Sequence, residues 1–156
     1  MILIKETPQR HNHTQITALQ PELQQQRKRV LIVEDDISYR PMWEHVIYQT
    51  DPSIRVDWAQ SEEQAERLIN QRMRNKNPYD LIIADVFLAG IKTGVDLWEK
   101  YGDWSSHFIF VSGLPREKFD DLMSQDYGAP IYLQKPLRPK FCRELLAELL
   151  TENPNE

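Results

Sequence analysis

Five short apolar runs punctuate this chain, and each leads into a longer stretch with helical periodicity. That alternation limits the fold more than any other feature. Val30-Leu31-Ile32-Val33 stops at Glu34, Asp35 and Asp36. Ile54, Val56 and Trp58 alternate with polar residues, as in a strand with one buried face. Leu81-Ile82-Ile83-Ala84 stops at Asp85, the run from His107 to Val111 at Ser112-Gly113, and Ile131-Tyr132-Leu133 just before Lys135-Pro136. Of the intervening stretches, Ile37 to Tyr48 reads as a helix with Trp43, Val46 and Ile47 on one face and Pro41 in its first turn. Ser61, with Gln64 three residues on, has the signature of a capping box for a helix holding Ala65, Leu68 and Ile69. That helix ends in the polar, basic segment from Gln71 to Asn77 and stops at Pro78. Further helices are expected through Val95, Leu97 and Trp98, from Arg116 to Ser124, and from Lys140 to Leu150, the last with a stripe of Phe141, Leu145, Leu146 and Leu149. Strict strand–helix alternation implies an α/β fold, a five-stranded parallel sheet doubly wound by helices on both faces through right-handed crossovers. Most of the strands are continuous apolar runs, as expected when both faces are covered.

At 156 residues, with 40% hydrophobic and 28% charged, the chain suits one domain with its own core. Residues 1–28 differ from the rest, with Gln15, Gln20, Gln24, Gln25 and Gln26 among few apolar side chains. They bury too little to offset their ordering entropy, so a flexible N-terminal tail is expected, then a domain over 29–151 and a short polar tail over 152–156. The opening Met1-Ile2-Leu3-Ile4-Lys5 is too short for a signal peptide and no run is long enough to span a bilayer, so a soluble cytoplasmic protein is expected. The formal net charge of −5 argues against DNA as a partner, since attraction to phosphates needs a basic face; Arg27-Lys28-Arg29 is the one local basic run. Cys142 stands alone, which excludes an internal disulfide and a thiolate zinc site, and its helical neighbours mark it as a small apolar filler.

The chemistry lies where the strands stop. Glu34-Asp35 follow strand one, Asp85 ends strand three, Ser112 strand four, and Lys135 follows strand five. In an open parallel sheet these ends share one edge, where ligands bind at the reversal of strand order. If strands one and three are neighbours, their carboxylates stand roughly 5 Å apart. Such carboxylates repel unless a hard cation sits between them, and an all-oxygen donor set favours Mg2+, with Mn2+ a substitute. Lys135 adds a mobile positive charge and Ser112 a hydroxyl, so the group suits phosphoryl transfer onto a carboxylate. Asp36, past the strand end, is expected to cap the next helix.

The segments RVLIVEDD, DLIIADVFLAG, FVSG and YLQKPL, in this order and at these intervals, resemble a bacterial two-component response-regulator receiver domain over residues 29 to about 150. The resemblance implies the flavodoxin-like strand order 2-1-3-4-5. It implies that Asp85 is the phosphoacceptor, that Glu34, Asp35, Asp85 and the backbone carbonyl of Phe87 hold the metal, and that Ser112 and Lys135 stabilise the phosphoryl group. It further implies a cis peptide between Lys135 and Pro136 and a switch in which Tyr132 turns inward as Ser112 moves. A sensor histidine kinase or phosphotransfer protein would be the donor. Output would run through the face of the fourth helix, fifth strand and fifth helix, to a downstream protein or a homodimer, in a phosphorelay or motility-type pathway. Only six polar residues follow Leu150, so a stand-alone regulator without an attached effector is expected, a regulatory phosphoacceptor rather than an enzyme. Phe87 and Leu114, two beyond the acceptor and two beyond the hydroxyl residue, are bulky and apolar, which implies slow hydrolysis of the phosphoaspartate.

The chain departs from the family pattern in places. Glu34 replaces the commoner Asp, Ala89 stands where Pro is usual, and Ile91-Lys92-Thr93 is about one residue longer than usual. Extra residues between Asp35 and Asp85 are assigned to Gln71–Asn77. An aspartyl phosphatase of the haloacid-dehalogenase type would need a second Asp two residues beyond the nucleophile, where this chain has Phe87. A phosphorylation-independent adaptor on the same fold is the alternative. The triplet His11-Asn12-His13 lacks the context of a nuclease motif, and neither His45 nor His107 has a ligand partner at metal spacing.

Overall fold

The computed structural model describes residues 27–88, 93–123 and 130–151. The polar stretches 1–26 and 152–156, the histidine triplet within the first of them, and Ala89 to Lys92 lie outside the described residues. Five strands, β1 (Arg29–Val33), β2 (Arg55–Ala59), β3 (Leu81–Asp85), β4 (His107–Ser112) and β5 (Ile131–Gln134), alternate with five helices. These are α1 (Arg40–Thr50), α2 (Glu62–Arg74), α3 (Gly94–Tyr101), α4 (Arg116–Leu122) and α5 (Pro139–Thr151). The sheet is parallel throughout with the order β2-β1-β3-β4-β5. It is the doubly wound architecture expected from the alternation, and it places a crevice where β1 leads to β2 on one side and β3 on the other.

Successive side chains of a strand point to opposite faces, and each face has its own core. Leu31, Val33, Ile82, Ala84, Phe108 and Phe110 pack with Ala65 and Ile69 of α2, Leu97 of α3 and Phe119 of α4. Val30, Ile32, Leu81, Ile83, Ile109 and Val111 pack with Trp43, Val46 and Ile47 of α1 and with Cys142, Leu146 and Leu150 of α5. Cys142 is 1% exposed, a filler in that second layer.

Helix ends differ in detail from the sequence pattern. The helix expected from Ile37 opens as a 3-10 turn over Ile37–Tyr39, and the α-helix starts at Arg40. Pro41 has no N–H to return to Ile37, so Arg40 closes the turn instead, onto the Ile37 carbonyl. Asp36 caps this turn, accepting the Ser38 N–H at 2.9 Å. At α2, Ser61 accepts the Gln64 N–H at 3.2 Å, but the Gln64 side chain accepts from Gln60, one residue before the expected Ser61. The complete reciprocal box is at α3, between Thr93 and Asp96, and was not read from the sequence. α4 ends at Leu122, two residues early, because Met123 is extended.

Candidate functional site

Backbone ladders carry the charged residues to one edge. Glu34 extends β1 by donating its N–H to Ala59 at 2.9 Å, Val86 extends β3 onto Val111 at 3.0 Å, and Lys135 extends β5 onto Ser112 at 2.7 Å. The side chains then converge. Glu34, Asp35 and Asp85 each place a carboxylate oxygen within 4.8 Å of the others. Lys135 Nζ donates to Asp85 Oδ2 at 2.6 Å and to Glu34 Oε2 at 3.0 Å. Glu34 and Asp85 are each 8% exposed, whereas Asp35 faces solvent. The Lys135–Pro136 peptide that follows is cis.

Electrostatics in this cluster are unbalanced. Burial pushes the Glu34 carboxyl up to about 7, and the Asp85 charge adds to this, while the Asp36 N–H and Lys135 pull it back. For Lys135, burial works against the ammonium, but its bonds to Asp85 and Glu34 outweigh that and raise its pKa. One ammonium faces three carboxyl groups, two of them buried. Oxygen donors at this spacing, short of positive charge, fit a hard divalent cation, and Glu34, Asp35 and Asp85 are the side chains that could hold it. His45 and His107 do not join any metal-spaced cluster among the described residues.

The remaining sequence candidates surround Asp85. Its Oδ1 accepts the Phe87 N–H at 3.0 Å, while the Phe87 ring is exposed. Ser112, 1% exposed, accepts the Leu114 N–H on Oγ at 3.2 Å, which leaves its proton to donate. Tyr132 turns its hydroxyl to the β4–α4 connection, donating to the carbonyls of Leu114 and Ser112, the latter at 3.3 Å. Its ring stacks on Phe119 at 4.2 Å, and burial raises its phenol pKa.

Two further residues escaped the sequence reading. Tyr39, on the 3-10 turn, places its ring against the Lys135 ammonium, 4.0 Å from the ring centroid, a cation–π contact. Gly94 opens α3 directly against β3, where its N–H donates to the Val86 carbonyl at 3.0 Å. A Cβ there would stand 2.1 Å from the Asp85 carbonyl oxygen. Neither contact leaves a sequence signal, since both depend on how separate elements meet.

No protein-family model matches the chain. Solved structures do resemble it. A non-phosphorylated HemR receiver domain from Leptospira biflexa superposes with a TM-score of 0.63 at 24% identity, covering 83% of this chain and 99% of that one. A CheY-like response-regulator receiver domain from Methanospirillum hungatei gives 0.64 at 24% identity over 80% of this chain and 94% of its own. The phosphorylated cyanobacterial phytochrome response regulator RcpA gives 0.62 at 17% identity, over 79% and 91%. The chain has the fold of these receiver domains across most of its length.

Proposed function

We propose that this protein is a two-component response regulator whose Asp85 carboxylate accepts a phosphoryl group from a phosphohistidine on a sensor kinase or phosphotransfer protein. The observation that carries this is the convergence of Glu34, Asp35 and Asp85 around Lys135 at the strand-order reversal. Bound at the three carboxylates, Mg2+ (or Mn2+ in its place) would supply positive charge toward the transferring phosphoryl oxygens. The Phe87 carbonyl is proposed as a further oxygen ligand.

The chain's own groups do the rest. An Asp85 oxygen attacks phosphorus as the P–N bond breaks, and the leaving imidazole nitrogen takes up a proton. Both Asp85 oxygens are held, by the Phe87 N–H and by Lys135, so the carboxylate is oriented before the donor arrives. Lys135 then passes from Asp85 Oδ2 to a phosphoryl oxygen, and the Ser112 hydroxyl donates to another. The product adds about −1.5 to −2 charges at this edge. Movement of Ser112 biases Tyr132, which already reaches the Leu114 carbonyl, and so reshapes the α4–β5–α5 face that a downstream protein or second copy would read. In this proposal the chain works in the cytoplasm as a phosphoacceptor and not a turnover enzyme, within a phosphorelay or motility-type pathway. Among the described residues no helix is long and apolar enough to cross a membrane.

Labelling by acetyl phosphate tests it. Wild type should label in a Mg2+-dependent manner and Asp85→Asn should not; equal labelling of the variant would sink the assignment, and no labelling of either would favour the phosphorylation-independent adaptor. The exposed Phe87 and half-buried Leu114 offer water no polar group, so a Phe87→Asn variant should lose its label faster than wild type. The reverse order would remove the lifetime part of the proposal.

A further inference from the structure

The other end of the sheet carries the opposite charge. Arg27, Lys28 and Arg29 lead into β1, Arg55 opens β2, and the parallel register sets Arg29 beside Arg55. Arg72, from the last turn of α2, lies with its guanidinium 5.8 Å from the centroid of the Tyr79 ring. Arg27, Arg29, Arg55, Val56 and Asp57 line a cleft of about 370 Å³. Two acids serve this cluster, and both are already engaged. Asp57 accepts the Tyr79 hydroxyl at 2.7 Å and meets Arg29 Nη1 only at 3.8 Å. Asp80 accepts the Arg29 N–H at 2.7 Å and stands 3.7 Å from Lys28. Arg27, Arg55 and Arg72 have no carboxylate within ion-pair distance among the described residues. Arg29 Nε and Arg72 Nε and Nη2 are buried without a hydrogen-bond acceptor. Burial, and then the Arg29 charge, push the Arg72 guanidinium down.

Unpaired cations gathered this closely repel one another, and a multiply charged oxyanion would compensate them. Guanidinium forks match phosphate oxygens in pairs. Val56 is the one apolar side chain lining the cleft, so it offers no platform for a ring and selects by charge. Its volume exceeds what one phosphate fills. We propose that this cleft binds an oligophosphate chain of two or three linked phosphates, held by Arg27, Arg29 and Arg55 with Arg72 behind them. The site stands at the start of β1 and β2, a strand length of roughly 17 Å from the carboxylate edge, so it is independent of the phosphoacceptor proposal.

Calorimetric titration of the whole chain with sodium tripolyphosphate in Mg2+-free buffer tests this. The expected result is one saturable site that Arg55→Gln weakens tenfold or more and that Lys135→Ala leaves as in wild type. Arg55 is exposed, so its substitution does not disturb the core. ATP binding no more tightly than tripolyphosphate would support a site that reads the phosphate chain alone, and ATP binding more tightly would overturn selection by charge. Absence of saturable binding would overturn the site, as would binding kept by Arg55→Gln and lost in Lys135→Ala. Citrate displacing tripolyphosphate at equal concentration would overturn the phosphate assignment.

Discussion

Lys135 answers to three groups at once: Asp85 Oδ2, Glu34 Oε2 and the Tyr39 ring. Held this way, its ammonium is the local counter-charge for carboxylates whose burial would otherwise leave them costly. The position of Asp85 depends in turn on a residue with no side chain. At Gly94, an added Cβ would meet the Asp85 carbonyl oxygen at 2.1 Å, and the obstacle is backbone that cannot swing aside. Gly94→Ala must therefore push α3 away from β3. We expect about 1–3 kcal/mol lower stability in urea, the usual cost of overpacking, and a loss of acetyl-phosphate labelling beyond what unfolding explains. A variant as stable as wild type would refute the close approach. At this scale the sequence showed the chemical groups, because strand-end acids and lysine announce themselves. It did not show Tyr39 or the role of Gly94, because an aromatic ring and a glycine have many commoner uses.

At the scale of elements, α2 shows what pattern reading misses. Its polar end, Gln71 to Asn77, is the last turn of the helix and its stop. Asn77 N–H donates to the Arg72 carbonyl at 3.1 Å and Lys76 N–H to Met73 at 2.9 Å, the paired bonds of a Schellman motif. The left-handed position of that motif, usually glycine, is Lys76 with φ 52°. A lysine gives no hint of it, whereas Pro78 is a visible stop in the sequence. Lys76→Gly should relieve the Cβ clash at that φ and offset the added unfolded-chain entropy. A net gain of about 0.5–1 kcal/mol is expected, measured as a higher urea midpoint with an unchanged slope. A lower midpoint would mean that the lysine side chain contributes more than its backbone strain costs. Element type and order, by contrast, were plain in the alternation, since apolar runs of four or five residues between amphipathic stretches admit few other arrangements.

Across the whole molecule, a parallel sheet gives its two edges different chemistry, and only one was legible in advance. The carboxylate edge could be read because each contributor follows an apolar run. The basic edge joins the local run at 27–29 to Arg55 through register and to Arg72 through the end of α2, and no local pattern connects those three places. Between the edges, the core has a built-in reporter in Cys142, the chain's single cysteine, packed with α1 and the sheet. Burial pushes its thiol pKa up, so folding favours the neutral form. The sign follows directly: this contribution is whole below the unfolded thiol's pKa of about 8.5 and is lost as pH rises through the folded value. Tyr79, Tyr101, Tyr132, Lys100 and Lys135 are also raised, but unfolded tyrosine and lysine titrate near 10 and above, leaving the window from about pH 8 to 9.5 chiefly to the thiol. The urea midpoint of wild type should therefore fall more between pH 7.5 and 9.5 than that of Cys142→Ala. Iodoacetamide should label the thiol in urea and spare it in buffer. Equal falls in the two proteins, or labelling of the native chain, would place Cys142 outside the cooperative core.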